Sequence, residues 1–261
     1  MASNNTNSTP LVEMRDIHKA FGGIRAVDGV SIAAYEGEVL GIVGHNGAGK
    51  STLIKILSGA YVMDSGEIFI SGEPANINNP RDAQSYGIET LYQDLALAPN
   101  LNGAANLFLG REKITRFGRV NNERMLKDTR EVVTRINPKF KAIEEPVFRL
   151  SGGQQQSIAI ARAIYFNAKV LIMDEPTAAL GPSESAMFQE LVVRLREEGI
   201  AMLLISHDMH QVFEMSDRIT VMAGGRVVGT HQANEVTSDQ ILSMIIMGQS
   251  PGKKKLHSEV T

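Results

Sequence analysis

The sequence predicts an α/β fold: a mainly parallel sheet with helices on both faces, a small antiparallel β subdomain, and an inserted α-helical subdomain. Three observations predict it. The all-apolar runs 39–43, 170–173 and 201–205 read as strands buried on both faces, as strands of a parallel sheet are. Helical patterns separate the later runs, and such alternation builds a parallel sheet. Near the start, shorter runs at 11–20, 29–34 and 67–70 read as strands of a small antiparallel sheet, with Gly22-Gly23 as a turn.

Residues 1–10 are polar and low in complexity, and read as a disordered tail. The two Asn-x-Ser/Thr matches there, at Asn4 and Asn7, follow no secretory signal and read as chance. After the antiparallel runs, strand 39–43 leads into Gly44-His45-Asn46-Gly47-Ala48-Gly49-Lys50-Ser51-Thr52, and residues 53–57 carry the apolar face of a helix. Gly, four residues, then Gly-Lys-Ser is the phosphate-loop pattern. Its glycines let successive N–H groups turn inward as an anion nest. The helix N-terminus adds positive potential, and Lys50 adds a full charge. Ser51 is placed to offer its hydroxyl to magnesium. The flanking strand and helix separate this from a glycine-rich turn that binds nothing, so the core reads as a P-loop NTPase core.

Residues 88–92 read as a core strand ending at Gln93-Asp94. From 100 to 146 the periodicity is helical, with breaks at Arg116-Phe117-Gly118 and Pro138. Lying between core strands, this block reads as a helical subdomain over 94–159, inserted into one domain spanning 11–250 whose core is 11–93 and 160–250. Leu150-Ser151-Gly152-Gly153-Gln154 opens a helix that runs to 164. Ser151 with Gln154 forms a capping box. Glycines in a first turn cost helix propensity, whereas a hydroxyl and bare amides at a helix N-terminus make an anion-binding surface. Both readings can hold together.

Strand 170–173 runs straight into Asp174-Glu175-Pro176. The two carboxylates therefore stand at the C-terminal edge of a parallel sheet, where open α/β sheets bind ligands. Adjacent side chains point different ways, so two jobs are expected. Asp174 is suited to hold magnesium through water, and Glu175 to polarise an attacking water beside a terminal phosphate. Two solvated charges at a strand end is the alternative, and it weakens beside a phosphate loop. Next come a helix over 183–198, strand 201–205, a helix after His207, strands 219–222 and 226–229 around Gly224-Gly225, and a last helix over 238–247. Residues 251–261, with Lys253-Lys254-Lys255, read as a flexible basic tail.

Composition sets the outer bounds. With 261 residues and 43% hydrophobic residues the chain can bury a sizeable core, but it is too short for two complete ATPase units. The absence of cysteine excludes disulfides, thiolate metal sites and cysteine nucleophiles. A net charge of −3 without a basic stripe argues against nucleic acid as the main partner. No apolar run approaches the ~20 residues of a membrane-spanning helix. The chain is expected to be soluble, with any membrane role exercised through a partner.

Four stretches in this order (44–52, 150–154, 170–176 and Ser206-His207-Asp208) resemble the ATP-binding subunit of an ABC transporter, over residues 12–248. Finer features, Glu89-Thr90-Leu91-Tyr92-Gln93-Asp94, Gln154-Gln155-Gln156 and Thr177-Ala178-Ala179-Leu180-Gly181, resemble the monosaccharide importers of the ribose, xylose and fructose type, most closely the fructose-like single-domain subunits. The resemblance implies ATP and Mg2+ as cofactors. It implies a homodimer in which Ser151, Gly152, Gly153 and Gln154 serve the nucleotide held by the other copy. It also implies transmembrane permease subunits, a sugar-binding protein engaged indirectly, no nucleic acid, and a peripheral place on the cytoplasmic face of the membrane. Phe21 matches the aromatic that stacks on adenine, with a core phenylalanine as the alternative. Gln93 matches the glutamine at magnesium or the attacking water, with a polar strand end as the alternative. His207 matches the histidine that bonds the γ-phosphate; a metal pair with His210 is the other reading, and no third ligand supports it.

Two positions depart from the commoner pattern. Gly181 stands where many relatives carry Asp, which bears on contact between protomers. His45 stands at a position usually acidic or polar, where it either tunes phosphate affinity with pH or faces solvent. A soluble ABC-type ATPase acting on DNA or ribosomes is the rival function, but the roughly one hundred residues between Ser51 and Ser151 leave no room for a long coiled coil. A regulatory module without turnover is disfavoured by the intact Asp174, Glu175 and His207.

Overall fold

The structure, a computed structural model, describes residues 9–91, 96–177 and 181–249. Gln93, residues 178–180 and most of both expected tails lie outside the described residues. The expected α/β architecture is present as two sheets. The first is antiparallel, in the order β2-β1-β4-β5, from β1 (Val12–Phe21), β2 (Ile24–Ala34), β4 (Ser65–Ile70) and the two-residue β5 (Glu73–Pro74). The second has the order β10-β9-β3-β8-β7-β6, from β3 (Val39–Val43), β6 (Ile88–Leu91), β7 (Val170–Asp174), β8 (Ala201–Ile205), β9 (Arg218–Ala223) and β10 (Arg226–Gln232). Its first five strands in sequence pair in parallel, and β10 pairs antiparallel to β9.

Both faces of the second sheet are covered, because period-two alternation sends neighbouring apolar residues to opposite sides. On one face, Leu40, Ile42, Ile172 and Leu203 pack with Leu53 and Ile56 of α1 (Lys50–Leu57) and with Met14 and Ile17 of β1. On the other, Val39, Leu171, Met173 and Leu204 pack with helices α4 (Asn122–Ile136), α5 (Gly152–Tyr165) and α6 (Pro182–Glu197). A third cluster joins Val43, Ile219 and Val221 to α7 (Met209–Met215) and α8 (Ser238–Met247).

Three sequence-based boundaries need correction. The expected strand 29–34 begins earlier, at Ile24, so Gly29 lies within it. It stands at φ +71 as the extra residue of a bulge, between the pairs His18↔Asp28 and Ile17↔Val30. The helical block over 100–146 contains two helices, α3 (Gly103–Leu107) and α4, and not a continuous helical run. Residues 108–121 between them are non-helical, with an Ile114↔Val120 bridge closing a turn over Arg116-Phe117-Gly118. The short α2 (Pro80–Ser85) went unforeseen, although Asn79 caps it and Pro80 fills its first position. The inserted block is tied to the core sheet where Arg111 pairs with the buried Glu89 of β6 at 2.8 Å and stacks on Phe166.

Candidate functional site

The phosphate loop joins β3 to α1, and its glycines are dictated by neighbours. A Cβ at Gly44 would lie 2.3 Å from the Met222 carbonyl oxygen, and one at Gly49 would lie 2.4 Å from that of Ala26. Gly49, at φ +101, is the N-cap of α1 and offers no side-chain acceptor, and no acidic residue sits in the first turn. The amide end of α1 is thus left for an external anion. Lys50 Nζ donates to the carbonyls of Gly44 (2.7 Å) and His45 (3.2 Å), folding back across its own loop. Burial pushes its pKa down, and the charges of Glu175 and Asp174 push it back up. Ser51 is exposed and Thr52 half-buried. His45 and Asn46 face solvent, with His45 Nδ1 2.7 Å from the Asn46 carbonyl oxygen.

The neighbouring strand ends carry the acids and the histidine. Asp174 closes β7 opposite Ile205 of β8. Burial raises its pKa, and the adjacent Glu175 raises it further. Glu175 takes a left-handed backbone, φ +51, and its N–H donates to the Ile205 carbonyl at 2.8 Å. That turn sends its carboxylate sideways, where Oε2 meets His207 Nδ1 at 2.8 Å. His207 follows Ser206 at the end of β8 and precedes Asp208, the N-cap of α7. The hydrogen bond to Glu175 and its charge raise the histidine pKa. The imidazolium half of the pair is therefore present below the raised value and is lost as pH rises through it. An NMR titration of the His207 imidazole is expected to give a midpoint above the ordinary 6.5, moving down in Glu175→Gln; equal midpoints would remove the coupling.

The donor chemistry suits Mg2+. Ser51 and Asp174 offer hard oxygen ligands, and burial, then the neighbouring Glu175 charge, raise the pKa of Asp174, with Lys55 and Lys50 opposing them. His210 instead faces Glu214 of its own helix at 3.3 Å, and no group of three or more His, Asp or Glu side chains forms a metal cluster among the described residues. Phe21 is 44% exposed and meets Tyr61 edge-on at 5.2 Å, so it is not the core phenylalanine of the alternative reading.

At the start of α5 the capping box is present. Gln154 N–H donates to Ser151 Oγ at 3.3 Å, and Ser151 N–H donates to Gln154 Oε1 at 3.0 Å. Ser151 and Gly152 remain exposed. Three side chains to which the sequence reading gave no contact role bind this region together. Glu184 accepts from the Gly153 N–H at 3.0 Å; Gln156, whose motif was noted but not its role, donates to the Pro176 carbonyl at 2.8 Å; and the Thr177 hydroxyl donates to Gln211. Gln156 and Thr177 lie in stretches already noted for their resemblance, whereas Glu184 was missed, although an acid three residues into a helix start is a capping signal.

The chain was compared with known proteins. The family description "ABC transporter" matches residues 27–178. The ribose import ATP-binding protein RbsA 2 of Escherichia coli O157:H7 is 45% identical over 92% of this chain and 47% of its own length. The xylose/arabinose import ATP-binding protein XylG of Sulfolobus acidocaldarius is 42% identical over 94% of this chain and 97% of its own. The chain spans about half the length of the ribose relatives it matches and nearly all of the xylose/arabinose one. Among solved structures, the ADP conformation of an ATP-binding cassette of an ABC transporter superposes with a TM-score of 0.78 at 27% identity, covering 93% of this chain and 100% of the other. A dimeric post-hydrolysis cassette bound to ADP and Pi superposes at 0.72 with 26% identity, covering 85% and 98%. Sequence and fold agree with the geometry of the phosphate loop and the strand-end acids, and the chain belongs to the ABC transporter family.

Proposed function

We propose that the chain binds and hydrolyses ATP to energise an importer for a monosaccharide of the ribose, xylose or fructose type. One observation carries this reading: the phosphate loop, the Asp174-Glu175 pair and His207 meet at the C-terminal ends of three adjoining parallel strands, β3, β7 and β8. On this reading Lys50 and the loop amides hold the phosphates, Ser51 and Asp174 hold magnesium, and Glu175 orients the attacking water. His207 bonds the terminal phosphate, Phe21 faces the adenine, and Gln93 completes the site. Bound magnesium neutralises charge that develops on the transferred phosphoryl group. The names of the ribose and xylose/arabinose relatives support the sugar class, and nothing favours the nucleic-acid alternative.

Ser151, Gly152, Gly153 and Gln154 then serve the nucleotide of a second copy. Two features support that reading: Ser151 and Gly152 are exposed, and the cavity beside Ser151 and Gly153 is lined from α4, α5 and α6 and by no phosphate-loop residue. No helix of the described residues is long and apolar enough to cross a membrane. The reading therefore gives the chain transmembrane permease partners, a peripheral place on the cytoplasmic face, and indirect service to a sugar-binding protein. The helical block over 94–159 would relay motion to the permease. The test is phosphate release by the chain with its permease and sugar-binding protein in vesicles, together with uptake of labelled ribose, xylose and fructose. Expected are ATP-dependent uptake of one of these sugars and a loss of phosphate release of about 10²–10³-fold in Lys50→Ala. Turnover that survives Lys50→Ala, or vesicles that take up none of the three, would count against it.

A further inference from the structure

The amide at the centre of the proposed partner-facing surface is already occupied. Glu184, near the start of α6, turns its carboxylate onto the first turn of α5. Oε1 accepts from the Gly153 N–H at 3.0 Å, and Oε2 accepts from the Gly181 N–H at 3.2 Å. The contact is close enough to explain the glycine: a Cβ on Gly153 would lie 2.6 Å from that same Oε1. A carboxylate held on an α5 amide is chemically a stand-in for a phosphate oxygen, bearing negative charge at a helix N-terminus. We propose that Glu184 is a positioning residue that occupies the Gly153 amide in the separate subunit, and that closure of the nucleotide sandwich exchanges its carboxylate for the terminal phosphate of the partner-held ATP.

Three physical consequences follow. While Glu184 is in place, the arriving phosphate meets both a used donor and a like charge. The exchange has somewhere to go, because a cavity of about 260 Å³ opens beside Glu184, with the exposed Lys139 among its lining residues. That cavity offers room, and Lys139 an opposite charge, for the displaced carboxylate. The same movement frees the Gly181 N–H at the start of α6, so phosphate arrival at α5 and release of the α6 N-terminus become one event. Gln156, which ties α5 to the Pro176 carbonyl next to Glu175, places the exchange one hydrogen bond from the strand-end acids.

This inference rests on the reading of Ser151 and Gly153 as the half-site for a partner's nucleotide, and the experiment separates the two. In a Glu175→Gln background that slows turnover, the ATP concentration giving half-maximal dimer is measured by light scattering for Glu184, Glu184→Gln and Glu184→Ala. ATP affinity of the dilute monomer and thermal unfolding are followed in parallel. Removing the charge is expected to lower the dimerisation threshold three- to tenfold in both variants, with monomer affinity unchanged. A purely structural Glu184 predicts the opposite sign, since loosening the first turns of α5 and α6 would raise the threshold. A threshold that is unchanged or raised overturns the proposal while leaving the dimer reading intact. A background protein that forms no dimer at any ATP concentration overturns both.

Discussion

Glu175→Gln is expected to bind ATP as the unchanged chain does, to release phosphate about 10²–10⁴-fold more slowly, and to accumulate as an ATP-dependent dimer. The substitution keeps the shape of the side chain and leaves an oxygen that can still meet His207. Binding by the phosphate loop is expected to persist, because Glu175 follows the end of β7 and is not part of the loop. What disappears is the carboxylate proposed to polarise water. With chemistry stalled, the triphosphate persists between the two copies, and size-exclusion chromatography with ATP reports the dimer. Phosphate release near the normal rate would remove Glu175 from the reaction; a mutant that stays monomeric at saturating ATP would remove the shared-nucleotide reading.

Gly49→Ala should abolish useful ATP binding for a different reason. The added Cβ would stand 2.4 Å from the Ala26 carbonyl oxygen, and the backbone is held at φ +101. A non-glycine residue in such a conformation costs about 1–3 kcal/mol, and the collision is with main chain, which has no rotamer to yield. The α1 N-terminus must shift, and the loop amides shift with it. ATP affinity measured by equilibrium binding is expected to fall more than tenfold, with a melting temperature lower by roughly 5–10 °C. Gly47→Ala is the matching control: its φ is +83, yet a Cβ there meets nothing within 4 Å. It pays for strain without collision and should lose far less. Equal losses in the two variants would show that strain alone governs the loop.

What could be read from the sequence was what is written in contiguous residues. The phosphate loop, Asp174-Glu175 and the Ser151 capping box are local patterns, and each needs only its own strand or helix to make sense. Two kinds of feature were not legible. The strand start was placed at Gly29, too late, because a glycine at positive φ can sit inside a strand as a bulge and only pairing with β1 reveals it. Around the break read at Arg116-Phe117-Gly118 the flanking residues looked helical by spacing, yet the chain there closes a small bridge between Ile114 and Val120. The side chains that join the site are a harder case. Glu184 and Gly153 are 31 residues apart and Gln156 and Pro176 are 20 apart, so their contacts exist only once α5 and α6 have packed on the sheet. Gln93 lies outside the described residues, so its role rests on the resemblance and the proposal built on it.

The left-handed turn at Glu175 also bears on how such a subunit evolves and is engineered. An ordinary L-residue gains nothing energetically from φ +51; glycine or asparagine would sit there with less strain. On the proposed role of Glu175, the position sets robustness against turnover, since the replacement that relaxes the main chain is also the one that removes the carboxylate. Directed evolution that selects heat resistance without an assay for work done will drift toward inert copies at this residue. Retention of an acid there is a signature of selection for activity.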